Sequence, residues 1–346
     1  MAWFHNLSVT EQFLLVSAIK IICVFCVVMP SVAYSVLAER KISAMIQDRV
    51  GPNRVGPGGL WQPLADGIKT FLKEDFVPAH VRKAYFWLAP MVSMTPALLV
   101  LAVIPFGSKL GGEPMVIADL NVGILYTFGI VSLGVYGIVL AGYASNSKYP
   151  FLGGIRSSAQ MISYEIAMGM SVIPVFLIVG DLNLSNVIEY QYQHGWLILY
   201  APVSFVIFLI AAFAETNRLP FDLPESEQEL VGGYHTEYSS MKFALFFMGE
   251  YANMIAASAM MVTLFLGGWT LPVAGLNRPA DSILMGVAHI AIFMGKVAVL
   301  MGLFIWVRWM WPRFRYDQLM DLGWRRFLPL ALVNIIATAL WLWMVA

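Results

Sequence analysis

The residues best placed to do chemistry lie between Ala214 and Ser240, in the stretch AETNRLPFDLPESEQELVGGYHTEYSS. Six carboxylates (Glu215, Asp222, Glu225, Glu227, Glu229 and Glu237) share it with one arginine, Arg218. An apolar run from Ile198 to Phe213 leads into the segment, and another begins at Phe243. A carboxylate at the edge of a low-dielectric region ionises less readily than one in water, so it can hold a proton near neutral pH. The spacing therefore suits proton handling. A solvated acidic loop has the same composition and is the simpler reading.

Other charges sit inside apolar runs, where each is costly and defaults to an ion or proton pathway. Glu165 lies in ISYEIAMGM and Glu250 in FFMGEYANM. Lys20 is close enough to the end of its run to reach the interface, whereas Lys296 calls for a buried acid as partner. A second charged segment, residues 39–84, opens with Glu39-Arg40-Lys41 and carries the doublet RVGPNRVGPGG, with Arg49 and Arg54. Its Gly-Pro pairs forbid helix and mark a tight path. From Leu60 to Phe76 the pattern changes: Trp61, Leu64, Ile68, Phe71 and Leu72 share one helical face, away from Asp66, Lys69 and Lys73. That segment is too short and too charged to span a bilayer and suits an amphipathic helix in the interface.

The remaining residue types point away from other chemistries. Cys23 and Cys26 fall in one apolar run and are too few for a cluster or zinc site. The histidines (His5, His80, His194, His235, His289) are scattered, and no Gly-rich turn follows a strand to cradle a phosphate. The chain alone is thus expected to bind no metal, flavin, iron–sulfur cluster or nucleotide. A net charge of zero gives no basic surface for nucleic acid.

The elements that must position these groups are transmembrane helices. Of 346 residues, 59% are hydrophobic and 12% charged, with a mean hydropathy of +0.73; a soluble chain carries roughly 25% charge. Eight apolar runs reach the ~20 residues of a span, near 13–38, 85–106, 122–145, 160–180, 196–214, 243–267, 283–309 and 326–345. The first reads as a retained span, because no basic residue precedes Lys20. Lysine and arginine concentrate in the loops after spans one, three, five and seven, including Arg218, Lys242, Arg308 and Arg313. The alternate loops hold only Lys109 and Arg278. The positive-inside rule then places segments 39–84 and 215–242 in the cytoplasm and both termini outside. The expected fold is an all-α polytopic membrane protein, one membrane domain over 1–346, with eight transmembrane helices plus the interfacial helix. The outward loops 107–121 and 181–195 show no chemistry.

Two stretches, AERKISAMIQDRVGPNRVGPGGLWQPLADGIKTFLKED and AETNRLPFDLPESEQELVGGYHTEYSSMKFALFFMGEYANM, resemble the H subunit (mitochondrial subunit 1) family of proton-pumping NADH:quinone oxidoreductase, respiratory complex I. The resemblance extends over essentially the whole chain. Small departures are Met45 where many bacterial members have tryptophan, Gly232 where alanine is frequent, and Ser240 where glycine is frequent. It implies a membrane subunit that anchors the hydrophilic electron-transfer arm and forms much of a quinone tunnel. Glu39, Arg40, Arg49, Arg54, Asp66, Arg218 and Asp222 would line that tunnel. Glu165, Glu215, Glu225, Glu227 and Glu250 would carry the proton-coupling signal. The substrate implied is a quinone, ubiquinone ahead of menaquinone. The implied partners are the cluster-bearing and quinone-site subunits of the arm, small membrane subunits, and lipid, in a bacterial cytoplasmic membrane. The related subunit of a hydrogenase- or ferredoxin-linked complex is the alternative, and the intact PFDLPESEQEL argues against it. A self-contained carrier finds no support in an internal repeat. A pure scaffold predicts that neutralising the acids leaves turnover intact.

Overall fold

The computed structural model describes residues 8–224, 230–273 and 276–345. Helix α1 (Val9–Ile46) starts at Ser8, where Ser8 and Glu11 form a reciprocal capping box. Its 38 residues make about 57 Å of helix, well beyond the ~30 Å hydrocarbon core of a bilayer. There follow α2 (Gln62–Leu72), α3 (Lys83–Leu99), a short antiparallel hairpin of β1 (Lys109–Leu110) and β2 (Glu113–Pro114), and α4 (Gly123–Ala144). The chain continues through α5 (Lys148–Val179), α6 (Leu184–His194), α7 (Pro202–Glu215), α8 (Ser240–Phe265) and α9 (Ile283–Met310). It ends with α10 (Tyr316–Asp321) and α11 (Leu328–Val345). Among the described residues seven helices are long and apolar enough to cross a membrane: α1, α3, α4, α5, α8, α9 and the α10–α11 arm. The protein is an all-α membrane protein.

Helix α3 packs against α4 and α8, α4 against α5, and α5 against α7 and α11. Small residues bring backbones together: a Cβ on Gly137 of α4 would lie 2.6 Å from the Ser93 amide nitrogen of α3. Such close approach supplies the packing that a lipid environment does not otherwise drive. Phe213 of α7 stacks on Phe304 of α9 with ring centroids 4.0 Å apart.

Four boundaries differ from the sequence reading. Helix α1 runs on to Ile46 rather than ending near 38, so Glu39 and Arg40 are helical and not part of the loop. The fourth span begins at Lys148 rather than near 160, so Glu165 lies in the middle of a 32-residue helix and not near its start. The segment 181–195, read as loop, contains α6, capped by Asn183, whose side chain accepts from the Ser185 and Asn186 amides. Helix α7 runs from 202 and has 14 residues, about 21 Å. The chain before it, 196–201, is a turn.

That short helix leaves backbone groups that must be satisfied internally, since lipid offers no partners. Gln191 serves the turn before α7 together with the chain around the end of α8, and part-buried Lys296 serves the chain just after α8. Gln191, 1% exposed, donates to Thr263 O and accepts from the Leu197 and Gly267 amides. Lys296 donates to the carbonyls of Leu266 (2.6 Å), Gly268 (2.9 Å) and Thr270 (2.6 Å), and sits 4.6 Å from the Trp196 ring centre. Three carbonyls at and just past the C-cap of α8 take the place of the buried acid expected for Lys296, at the end of the helix where a cation is favoured. Replacing Lys296 by Met, which keeps the volume and removes the donors, is expected to cost on the order of 2 kcal/mol. The check is a lower thermal unfolding midpoint of the purified protein in detergent.

Candidate functional site

Four elements converge on Glu39. It lies near the C-terminal end of α1 and is 5% exposed, whereas Arg40, the next residue, is exposed. Arg218 donates to both Glu39 oxygens at 3.3 Å. Arg308 from α9 donates to Glu39 Oε1, and the Tyr251 hydroxyl from α8 donates to Glu39 Oε2. Arg218 also reaches Glu250, with Nε 2.7 Å from Oε1, and its guanidinium lies 4.3 Å from the Tyr251 ring centre. The cluster thus sets two carboxylates against two guanidiniums. Balanced pairing is what makes buried charge tolerable; removal of one partner from such a set costs about 3–5 kcal/mol.

The position of Arg218 follows from how α7 ends. Asn217 takes a left-handed conformation (φ 51°), its amide bonds Ala214 O, and the Arg218 amide bonds Phe213 O. This is a Schellman cap, and asparagine tolerates the required φ better than any non-glycine residue except its close analogues. Gln160, fully buried in α5, donates to Ala214 O (2.7 Å) and Phe221 O (2.8 Å) and so holds the segment just beyond the helix. Asp222 pairs with Arg313 at 3.0 Å.

Beside the cluster lies a groove of about 640 Å³ between α1, α2 and α8. Ala33, Val36, Leu37 and Arg40 line it from α1 at helical spacing, and Phe243 and Phe247 line it from α8. Asp66 and Arg40, paired at 2.6 Å, stand among the polar groups of an otherwise apolar wall. Phe247 joins groove to cluster, its ring 5.0 Å from that of Tyr251. The groove keeps its shape because α2 is tied to α8. Ser240 donates to Thr70 O and Lys73 O, both at 3.0 Å, and Lys242 pairs with Asp75 at 2.5 Å beneath the Trp87 ring.

Glu215, the last residue of α7, is 7% exposed, and neither of its oxygens has a hydrogen-bond partner among the described residues. A cavity of about 20 Å³ separates it from Glu250 and is also lined by Asn253 and Tyr234. That is room for about one water molecule. Glu165, part-buried on α5, is within electrostatic reach of Glu215.

The structure thus brings together Glu39, Arg218 and Glu250, places Arg40 and Asp66 at the groove, and sets Glu215 and Glu165 behind. It leaves Arg49 and Arg54 on the exposed doublet loop, where Arg49 bonds Gln47. The loop's path needs its glycines: Gly59 has φ +80°, with Pro52 O packed where a Cβ would stand. Glu225 and Glu227 lie outside the described residues. Sequence reasoning passes over Tyr251, Gln160, Arg308, Arg313 and Lys242. The last three look from sequence like orientation signals alone. Their position at the ends of apolar runs, where a charge can fold back inward, is the one clue to a further role.

The chain matches the NADH dehydrogenase family over residues 19–339. It is 48% identical to the first of the H subunits of NADH-quinone oxidoreductase from Cytophaga hutchinsonii, an alignment covering 96% of this chain and 98% of that one. Identity to the corresponding H subunit from Rhodospirillum centenum is 53%, over 92% of each chain. Identity to NADH-quinone oxidoreductase subunit 8 of Rhodothermus marinus is 51%, over 88% of this chain and 91% of its relative. The match runs through α1, the doublet loop and α8, the parts that build the Glu39 cluster and its groove. The chain therefore belongs to the NADH dehydrogenase family, as an H-type membrane subunit of NADH-quinone oxidoreductase.

Proposed function

We propose that this chain forms the membrane mouth of the quinone site and passes the consequence of quinone reduction to buried carboxylates. The observation that carries the proposal is the contact between Phe247 and Tyr251, which puts the α1–α2–α8 groove one side chain from the Glu39 cluster. An isoprenoid tail fits an apolar groove of about 640 Å³, and the Arg40–Asp66 pair offers hydrogen bonds to a polar headgroup. Residues 39–84 and 215–242, bridged by Ser240 and Lys242, make up this region within a single membrane domain.

Reducing a quinone develops negative charge on its oxygens and consumes protons. Negative charge near the cluster competes with Glu39 for Arg218 and Arg308. A guanidinium drawn even partly toward the quinone is withdrawn from Glu39 and Glu250, which then hold protons more readily. Glu250 faces the small cavity, Glu215 and Glu165 lie beyond it, and Glu225 and Glu227 extend the acidic series in sequence. Arg49, Arg54 and Asp222 border the tunnel in this reading. Electrons arrive from cluster-bearing subunits of a hydrophilic arm docked on the doublet loop, with small membrane subunits alongside.

The membrane placement completes the proposal. Helix α7 counts as the eighth span, its outer half replaced by the turn at 196–201. Helix α2, with Trp61, Leu64, Phe71 and Leu72 exposed, lies in the cytoplasmic interface. Both termini are periplasmic in a bacterial inner membrane. Ubiquinone is the expected substrate, ahead of menaquinone.

Two expected outcomes test the two halves. Ala244→Trp narrows the groove and should raise the apparent KM for a long-tailed quinone about tenfold, equivalent to ~1.4 kcal/mol. Oxidation of NADH by a hydrophilic artificial acceptor should not change. An unaltered KM would take the groove out of the quinone path. Glu215→Gln removes a titratable proton site but no hydrogen bond, so assembly should be intact or firmer while proton pumping into vesicles falls with quinone reduction. Glu227→Gln should behave alike. Normal coupled turnover in both would assign these acids a structural role only.

A further inference from the structure

On the face opposite the Glu39 cluster, α1 and the β1–β2 hairpin enclose a second groove of about 250 Å³. Val16, Ile19, Cys23 and Val24 line it from one side of α1, and Phe106 and Met115 from the hairpin's base. One oppositely charged pair stands among these apolar residues: Lys20 Nζ lies 3.9 Å from Glu113 Oε2. The lysine side chain is 19% exposed and the glutamate 62%.

The location is fixed by geometry. Lys20 and Glu39 are separated by roughly 28 Å of helix at 1.5 Å per residue, close to the ~30 Å thickness of a hydrocarbon core. With Glu39 at one boundary, Lys20 stands at the other. Glu113 is returned to it by a two-residue turn, Gly111 (φ 61°) and Gly112 (φ 94°), of the kind that closes a hairpin tightly. The hairpin is extended by the Phe106 amide bonding Met115 O at 3.0 Å. Residues 107–121, which show no chemistry in sequence, thus carry a carboxylate back to the membrane boundary.

We propose that this groove holds one zwitterionic phospholipid, with its phosphate on Lys20, its ammonium on Glu113, and an acyl chain along Ile19, Cys23 and Val24. At 3.9 Å the pair is long for a mutual ion pair and weak where exposed. A phosphoethanolamine headgroup carries one charge of each sign and satisfies both residues at once. An anionic lipid would meet the Glu113 carboxylate, and a small soluble anion would gain nothing from the apolar floor. The site is independent of the quinone reading, since it uses none of the residues of the α1–α2–α8 groove.

The test uses the assembled complex, purified and placed in nanodiscs of equimolar phosphatidylethanolamine and phosphatidylglycerol with matched chains. Lipid retained after delipidation is then quantified by mass spectrometry. The wild type should retain phosphatidylethanolamine preferentially. Lys20→Met and Glu113→Gln should each lower that retention severalfold, and Glu113→Lys should shift preference to phosphatidylglycerol. Retention unchanged in all three variants, or equal retention of both lipids by the wild type, overturns the proposal. A second readout is alkylation of Cys23 by a membrane-permeant maleimide in a Cys26→Ser background. It should be slower in discs containing phosphatidylethanolamine than in phosphatidylglycerol alone. Equal and complete protection in both would mean that a neighbouring protein covers the groove, which also overturns it.

Discussion

The structure depends on burying the Glu39 carboxylate among donors from three other parts of the chain. A lone carboxylate in that position would be expelled or neutralised, and what prevents this is the convergence of Arg218, Arg308 and the Tyr251 hydroxyl. Each donor comes from a different element, so the cluster also works as a joint. It holds the C-terminal end of α1 against α8, α9 and the segment after α7. The Schellman cap at Asn217 and the clamp from Gln160 exist at the one place where Arg218 must be aimed.

Because the cluster is charge-balanced, it is also responsive. Adding or removing one charge nearby unbalances groups that cannot relax into water. The apolar groove lies beside it, and the small cavity lined by Glu215 adjoins Glu250, one of its members. Phe247 and Tyr251 stand between the two, on one face of α8 at positions four residues apart. The region around the turn at 196–201 is built differently. There Lys296 and Gln191 are spent on backbone groups around a shortened helix.

Much of this is legible in the residues. Hydrophobic runs mark the membrane helices to within a few residues in most cases, since a span has to be long and apolar. Helical periodicity finds α2, and the Gly-Pro doublet marks its approach. What periodicity does not supply is partnership. Glu39 meets Arg218 across 179 residues, Tyr251 across 212 and Arg308 across 269. Nothing local in the sequence encodes such pairings. Arg308, Arg313 and Lys242 are legible only through their effect on orientation, a rule about where charge accumulates that is silent about which charges turn inward. Lys296 shows the same limit: its burial is evident, but a carbonyl cluster at a helix end has no sequence signature. Ser240 illustrates a smaller case. It adopts φ 54°, where glycine would be unstrained, and its hydroxyl bonds the end of α2.

The most direct measurement is photolabelling of the assembled complex with an azido-quinone, followed by peptide mapping. The account predicts label on Ala33–Arg40 and Met241–Met248, the two faces of the groove, and its loss when excess unlabelled quinone competes. Competed label confined to other parts of the chain, with none on these two segments, would contradict it.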